Sequence, residues 1–433
     1  MAKYCMVFGS DDEKSLFELG IWKACLDSNI QPEAIAGAAF GAINVALVAQ
    51  GSFEMAVRFW SRAIDSKIFS DFYDLRRKYS DNLATPGNKE ILKLIKRISK
   101  DNEPVLTQLD SLLEAHIDEN QVRASAIKAF IPTISFSDFT AIVLSIDDIP
   151  RGQLIDAIKF SMLSYLFFYI STDEQGVNIL DDASFKIVCP PNISTKVITA
   201  NLLNVDTLLK LYPQSEFLIV ENSEYLGLSY THTFESMKRN IHIGLLDTLK
   251  TLDILKGQKY YIDLNASNTL YQWFEEHFCR PITPELDEKI GRLLNIYNTE
   301  IQSNILKGVE RVAQKCRYQN DHIHLTALET TASLLYIERA KRYSPDALIN
   351  EIILSVNSIL RKNYHAIQDE ENIFKAMSGH DELPSFTDDF SPAINMIYFL
   401  CAPTNSNIFM HFINSMTPEV IISIVTLIYL LIY

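Results

Sequence analysis

Ala34-Ile35-Ala36-Gly37-Ala38-Ala39-Phe40-Gly41-Ala42-Ile43-Asn44 sets a short apolar run, a glycine-bracketed turn and a helix-forming segment in direct succession. A strand, a Gly-x-Ser-x-Gly turn and a helix make a nucleophile elbow. Its sharp turn lifts the middle side chain clear of the backbone, and the helix N-terminus favours developing negative charge. Gly37 and Gly41 supply the room that the turn needs. The middle position, however, is Ala39, and a methyl group cannot attack a carbonyl.

Working outward, the first half of the chain alternates in the α/β manner. Tyr4 to Phe8 reads as a strand, Lys14 to Ser28 as a helix and Ala34 to Ala36 as a second strand. Phe53 to Ala63 and Lys89 to Ser99 are helical in spacing, with a loop at Asp81 to Asn88 between them. Phe130 to Phe136 and Thr140 to Ile146 are β-rich and meet at Ser137-Asp138, which predicts a hairpin. Gly152 to Phe160 reads as a helix and Phe217 to Val220 as a late buried strand. Strands separated by helices imply a mainly parallel sheet covered on both faces.

From about Thr231 the character changes. Leu246 to Leu255, Glu285 to Leu306, Leu325 to Arg342 and Pro345 to Arg361 are helical in spacing. Tyr260 to Ile262 is the main strand candidate there, and Ser378 to Pro392 reads as an exposed loop. The expected division is an α/β domain over residues 1–230 and a mostly helical domain over residues 231–433.

Composition narrows the function. The chain has 433 residues with 48% apolar and 21% charged content, enough for a sizeable core. A net charge of −15 argues against nucleic acid, whose phosphates would be repelled. Cys5, Cys25, Cys189, Cys279, Cys316 and Cys401 are scattered without a Cys-x-x-Cys pair, so each reads as a buried apolar residue. With Met1 running straight into a strand, the expected home is the reducing cytoplasm. Val420 to Tyr433 is apolar but falls short of the ~20 residues that a bilayer span needs. It reads as a buried last helix begun by Thr417-Pro418-Glu419, with docking on a partner or at a membrane surface as the alternative.

The order of these segments resembles the patatin-like phospholipase family, lipid acyl hydrolases with an α/β core and a Ser-Asp dyad. The resemblance spans roughly residues 3 to 262. It is carried by Leu19-Gly20-Ile21-Trp22-Lys23-Ala24, by Gly37 to Asn44 with Ala46-Leu47, by Arg123-Ala124-Ser125, and by Ile149-Pro150-Arg151-Gly152-Gln153-Leu154. Leu180-Asp181-Asp182-Ala183, Arg239-Asn240, Gly244 to Lys250 and Gly257-Gln258-Lys259-Tyr260-Tyr261 complete it. It implies a three-layer core with a mainly parallel sheet, followed by the largely helical C-terminal region.

The departures fall where the resemblance implies chemistry. The nucleophile position is Ala39, and removing such a nucleophile typically costs on the order of 10⁶ in turnover. The oxyanion glycines map to Ser10, Asp11 and Asp12, and a further glycine to Ser15. Only Lys14 keeps its type. Carboxylates there oppose the charge that an oxyanion hole stabilises. Ser10-x-x-Glu13 also reads as a capping box for a helix beginning near Asp11. The dyad acid maps to Asp181, or to Asp182 if the register shifts by one, and a turn or capping role is the competing reading. The family's Ala-Ser-x-x-x-Pro stretch appears as Phe160-Ser161-Met162-Leu163-Ser164-Tyr165, where Phe160 and Tyr165 narrow a lipid pocket.

These three losses point to a patatin-like pseudoenzyme working through protein binding or assembly, with a patatin-like homologue or itself as partner. Two readings stay open beside it: an active lipid acyl hydrolase carrying a serine-to-alanine change at position 39, and a non-catalytic lipid-binding module. No cofactor and no metal are expected. Asp321-His322-Ile323-His324 reads as a solvated turn, and Ser229 in Gly227-Leu228-Ser229-Tyr230 as a faint echo of a second elbow.

Overall fold

The chain's computed structural model describes residues 4–9, 14–80, 100, 103–135, 140–168, 179–189, 194–200, 205–228, 231–278, 323–362 and 418–432. It divides into two compact units, Met1–Leu252 and Asp253–Tyr433.

The first unit is built on a six-stranded sheet. Its strands are β1 (Tyr4–Phe8), β2 (Ala34–Gly37), β3 (Lys128–Ile134), β4 (Ala141–Ser145), β5 (Lys196–Ala200) and β6 (Glu216–Val220), in the spatial order β4-β3-β2-β1-β5-β6. All neighbours pair in parallel except β3 and β4, an antiparallel hairpin. Sequence order thus runs outward from β1 in both directions. In open α/β sheets such a switch point places a crevice at the carboxyl ends of the central strands.

Both faces of the sheet are covered, giving three layers. On one face α8 (Ile179–Val188) and α9 (Val205–Leu211) bury Phe185, Val188 and Leu208 against Cys5, Val7, Ala36 and Val197. On the other lie α1 (Ser15–Asp27), α2 (Phe40–Gln50), α7 (Leu154–Phe168) and α10 (Phe234–Thr251). Between them in sequence, α3 (Phe53–Asp65), α4 (Ile68–Ser80), α5 (Glu103–His116) and α6 (Glu119–Arg123) extend this helical layer.

Several elements differ from the sequence reading. Strand β5 was not anticipated, although it pairs with both β1 and β6. Helix α1 starts at Ser15, and its N-cap Lys14 makes no side-chain cap bond, so the described helix does not begin near Asp11. The proposed capping residues Ser10 and Glu13 lie outside the described residues, with Asp11 and Asp12. So do Asp81 to Asn88, Lys89 to Ser99, Ser137-Asp138, Ser229, Glu285 to Leu306, Asp321-His322, Ser378 to Pro392, Thr417, and Cys279, Cys316 and Cys401.

The second unit comprises α11 (Thr269–Phe278), α12 (Ile323–Leu334), α13 (Pro345–Lys362) and α14 (Pro418–Ile432), with β7 (Tyr261–Ile262) paired in parallel to β8 (Arg342–Tyr343). The helix expected to reach Arg342 stops at Leu334, because Tyr336 turns into a left-handed conformation. Along α14, Ile422, Leu427, Tyr429 and Leu430 are buried in one cluster with Phe274, Phe278, Leu328 and Ile352. The hydroxyls of Ser423 and Thr426 are buried too, each donating to the carbonyl four residues earlier. No described helix is long and apolar enough to cross a membrane.

One crossing organises the helical layer. Where α1 meets α10, a Cβ on Gly20 would lie 2.2 Å from the Ile241 carbonyl oxygen and 2.7 Å from Gly244 Cα. A Cβ on Gly244 would lie 2.1 Å from the Phe17 carbonyl oxygen. The helices therefore touch backbone to backbone. In an open helix, glycine to alanine gains about 0.5–1 kcal/mol. Here Gly20→Ala is expected to cost about 3 kcal/mol, at the upper end of overpacking effects, because rigid backbone cannot yield as a side chain does. Urea denaturation of the two proteins checks the sign and the size.

Candidate functional site

The sequence-predicted elbow stands at the carboxyl end of β2, against the end of β1. Ala39 is the N-cap of α2, with φ 52° and ψ −116°. This is strained backbone for a residue with a Cβ, costing about 1–3 kcal/mol. The turn is closed by hydrogen bonds from Gly41 N to Ala38 O at 2.8 Å and from Ala42 N to Ala39 O at 3.1 Å.

The two glycines are there because the elbow presses on β1. A Cβ on Gly41 would sit 2.5 Å from the Gly9 carbonyl oxygen, and one on Gly37 2.9 Å from Phe8 Cβ and from the Gly41 carbonyl. The elbow geometry is thus complete, yet Ala38, Ala39 and Phe40 are buried.

The Ala39 amide is committed. It donates to Ser161 Oγ at 2.9 Å, and that hydroxyl donates onward to the Pro132 carbonyl at 2.6 Å. Pro132 lies on β3 past Phe130, the last residue paired to β2, so its carbonyl is available and its missing N–H costs no ladder bond on that side. Ser161 therefore ties α7, β3 and the elbow together. Nearby, Thr133 Oγ1 and Ser164 Oγ share a hydrogen bond at 2.9 Å. The Ala-Ser-x-x-x-Pro comparison had drawn attention to the bulk of Phe160 and Tyr165. Phe160 is partly buried and lines a groove of about 380 Å³ with Lys159, Asp110 and Asp156, and the Tyr165 side chain lies outside what is described.

A second network lies beside the elbow. Glu18, on α1, is fully buried; its Oε1 accepts from Gly9 N at 2.6 Å and its Oε2 from Asn44 Nδ2 at 3.2 Å. Asn44 Nδ2 also donates to the Ser15 carbonyl, and its Oδ1 accepts from Trp60 Nε1, each at 3.0 Å. So the residue after β1, the start of α1, the elbow helix and α3 are joined by one buried polar chain. Burial pushes the Glu18 carboxyl up to about 8, further helped by the charge of Asp181; the bonds from Gly9 and Asn44 and the charge of Lys14 oppose it.

Asp181 is buried in the first turn of α8, where an acid is favoured by the helix N-terminus. Asp182, beside it, accepts from Tyr212 Oη at 2.8 Å through Oδ1 and pairs with Lys186 through Oδ2. Asp182 is thereby committed to Tyr212, just past α9, and to its own helix. Of the oxyanion-loop positions, Ser10, Asp11 and Asp12 lie outside the described residues, while Gly9 before them is buried and held by Glu18.

His324, expected on a solvated turn, is instead buried in α12, with Nε2 2.9 Å from Glu275 Oε1 and its ring edge-on to Tyr271. Among the described residues no group of three or more His, Cys, Asp or Glu side chains is placed to hold a metal ion. Cys5, Cys25 and Cys189 are buried thiols, and burial pushes Cys25 up to about 12 and Cys189 up to about 11. Cys25 and Cys189 are therefore not reactive thiolates at neutral pH.

Residues 13–188 match the family model described as patatin-like phospholipase, and this stretch of the chain is a patatin-like domain. No curated protein sequence gives a significant match. Among the solved structures that align, two show the low level of similarity. VipD from Legionella pneumophila is 13% identical with a TM-score of 0.30, covering 93% of this chain and 90% of that one. The type III effector protein ExoU is 12% identical with a TM-score of 0.29, covering 97% of this chain and 92% of that one.

The Glu18 network has a pH signature. Its carboxyl binds a proton more tightly folded, at about 8, than at the ordinary value of 4.5. The stability this contributes is full below pH 4.5 and is lost as pH rises through about 8. Urea midpoints are expected to fall across that window, and Glu18→Gln, which keeps an acceptor for Gly9 but has no titrating proton, removes that part of the fall.

Proposed function

We propose that the patatin-like domain of this chain is a pseudoenzyme: it keeps the acyl-hydrolase scaffold without the chemistry and acts through binding to another protein. The observation that carries this reading is the state of position 39. A methyl group stands where the elbow presents a nucleophile, its residue is buried, and its amide is used by Ser161. The commitment of Asp182 to Tyr212 and Lys186, and the placing of Asp181 within a helical turn, add support. The preferred partner is a patatin-like homologue or a second copy of the chain. A reducing compartment suits the buried free thiols at Cys5, Cys25 and Cys189.

A second reading is favoured by one observation. The strained backbone at Ala39 and the crowding at Gly37 and Gly41 persist, although an ordinary strand-to-helix turn needs neither. An active lipid acyl hydrolase with serine at position 39 would require both.

Ala39→Ser separates the two. Pseudoenzyme function predicts no turnover above the unsubstituted chain on p-nitrophenyl acyl esters or phospholipid vesicles, and no labelling by a fluorophosphonate. Turnover that appears with Ala39→Ser and disappears with the further change Asp181→Asn establishes the hydrolase instead.

A further inference from the structure

The C-terminal end of α12 is closed by three hydrogen bonds: Leu335 N to Thr331 O at 3.1 Å, Tyr336 N to Ser333 O at 3.2 Å and Ile337 N to Ala332 O at 3.0 Å. The last two are the paired bonds of a Schellman motif, and the buried Ile337 and Ala332 supply its apolar contact. In this motif the residue after the C-cap adopts positive φ and is usually glycine. Here it is Tyr336, at φ 54°. Asn29 after α1 and Lys67 after α3 take the same conformation at φ 55° and 59°; asparagine tolerates it, and a bulky tyrosine adopts it only at a cost.

Nothing within the described structure compensates for this. Tyr336 is 76% exposed, and it stands beside Leu354, which is 64% exposed. Both line a groove of about 370 Å³ with Leu335, Ile337, Tyr343 and Glu338. Lys341 is taken: it pairs with Glu351 at 3.2 Å and lies 5.0 Å from the centre of the Tyr343 ring. Glu338 has no cationic partner among the described residues. Its backbone carbonyl accepts from Tyr343 Oη at 2.8 Å, which fixes the rim.

From these observations we infer that the groove between Tyr336 and Leu354 is a docking site for a segment of a partner protein that carries an apolar side chain beside a Lys or Arg. The apolar side chain packs between the Tyr336 ring and Leu354, and the cation meets Glu338. Tyrosine is among the residues that dominate protein interfaces. Charge selects the occupant: Lys341 is already paired with Glu351, which leaves the Glu338 carboxylate to meet a cation, and the chain's net charge of −15 steers basic partners toward it. The inference rests on the reading of this chain as a binding protein, and gives that reading a surface and a partner chemistry.

The probe is a phage-displayed library of random linear peptides, panned on the full chain, with binding of the enriched peptides measured by calorimetry. Peptides combining an aliphatic or aromatic residue with Lys or Arg are expected. Tyr336→Gly is expected to raise the urea midpoint, by relieving the left-handed backbone, while weakening those peptides by about thirtyfold, the scale of a lost hot spot. A structural role for Tyr336 would move stability and binding together. Leu354→Glu, at an exposed position, is expected to weaken binding with the midpoint unchanged, and Glu338→Lys to abolish the preference for basic peptides. Recovery of no peptide, of acidic peptides, or of peptides that bind Tyr336→Gly undiminished overturns the inference. So does concentration-dependent dimerisation of the chain that Tyr336→Gly abolishes, since the occupant would then be a second copy. Failure on any of these counts leaves the pseudoenzyme reading standing or falling on Ala39→Ser alone.

Discussion

The first turn of α2 lies on the end of β1 with no side chain between them. A single carbon added at Gly41 would meet the Gly9 carbonyl oxygen at 2.5 Å. That contact sets where the elbow stands, and therefore where Ala39 stands. The same device recurs at Gly20 and Gly244, which let α1 and α10 close on each other. Backbone-on-backbone contact leaves no soft groups to absorb an error, so the surrounding polar groups are held to narrow positions. Glu18 fixes the residue after β1, and Ser161 fixes the residue before the elbow helix.

Those two bonds give the elbow a structural use that does not depend on chemistry. A buried amide without a partner costs about 1–3 kcal/mol, and so does the backbone strain at Ala39. A serine hydroxyl at Ser161 satisfies the first and helps to impose the second. Neither needs a nucleophile at position 39. The elbow then serves as a joint among β2, β3, α2 and α7.

Much of the first unit was legible in the sequence because strands buried in a parallel sheet and their glycine turns leave local marks. Tyr4 to Phe8, Ala34 to Ala36 and Phe217 to Val220 all carry them. Lys196 to Ala200 did not: a five-residue strand buried on both faces has no alternation, and its apolar run cannot be told from a helix segment by period alone. Glu18 was passed over because a lone acid in a helix ordinarily faces water. The bond from Ala39 to Ser161 spans a separation of 122 residues, so no local pattern announces it. Gly20 and Gly244 were each noted as marks of resemblance, but only the fold shows that they meet. In the second unit, helical spacing ran through Tyr336, because nothing in a tyrosine advertises a left-handed turn.

The elbow is a closed structural joint, held by Ser161 and Glu18. Native-state hydrogen exchange at the Ala39 and Gly9 amides tests it most directly. A joint held by Ser161 and Glu18 predicts exchange at both amides only through global unfolding, with a free energy equal to that from urea denaturation. Rapid exchange at Ala39 through local opening, as in a site that admits a substrate, would contradict the claim.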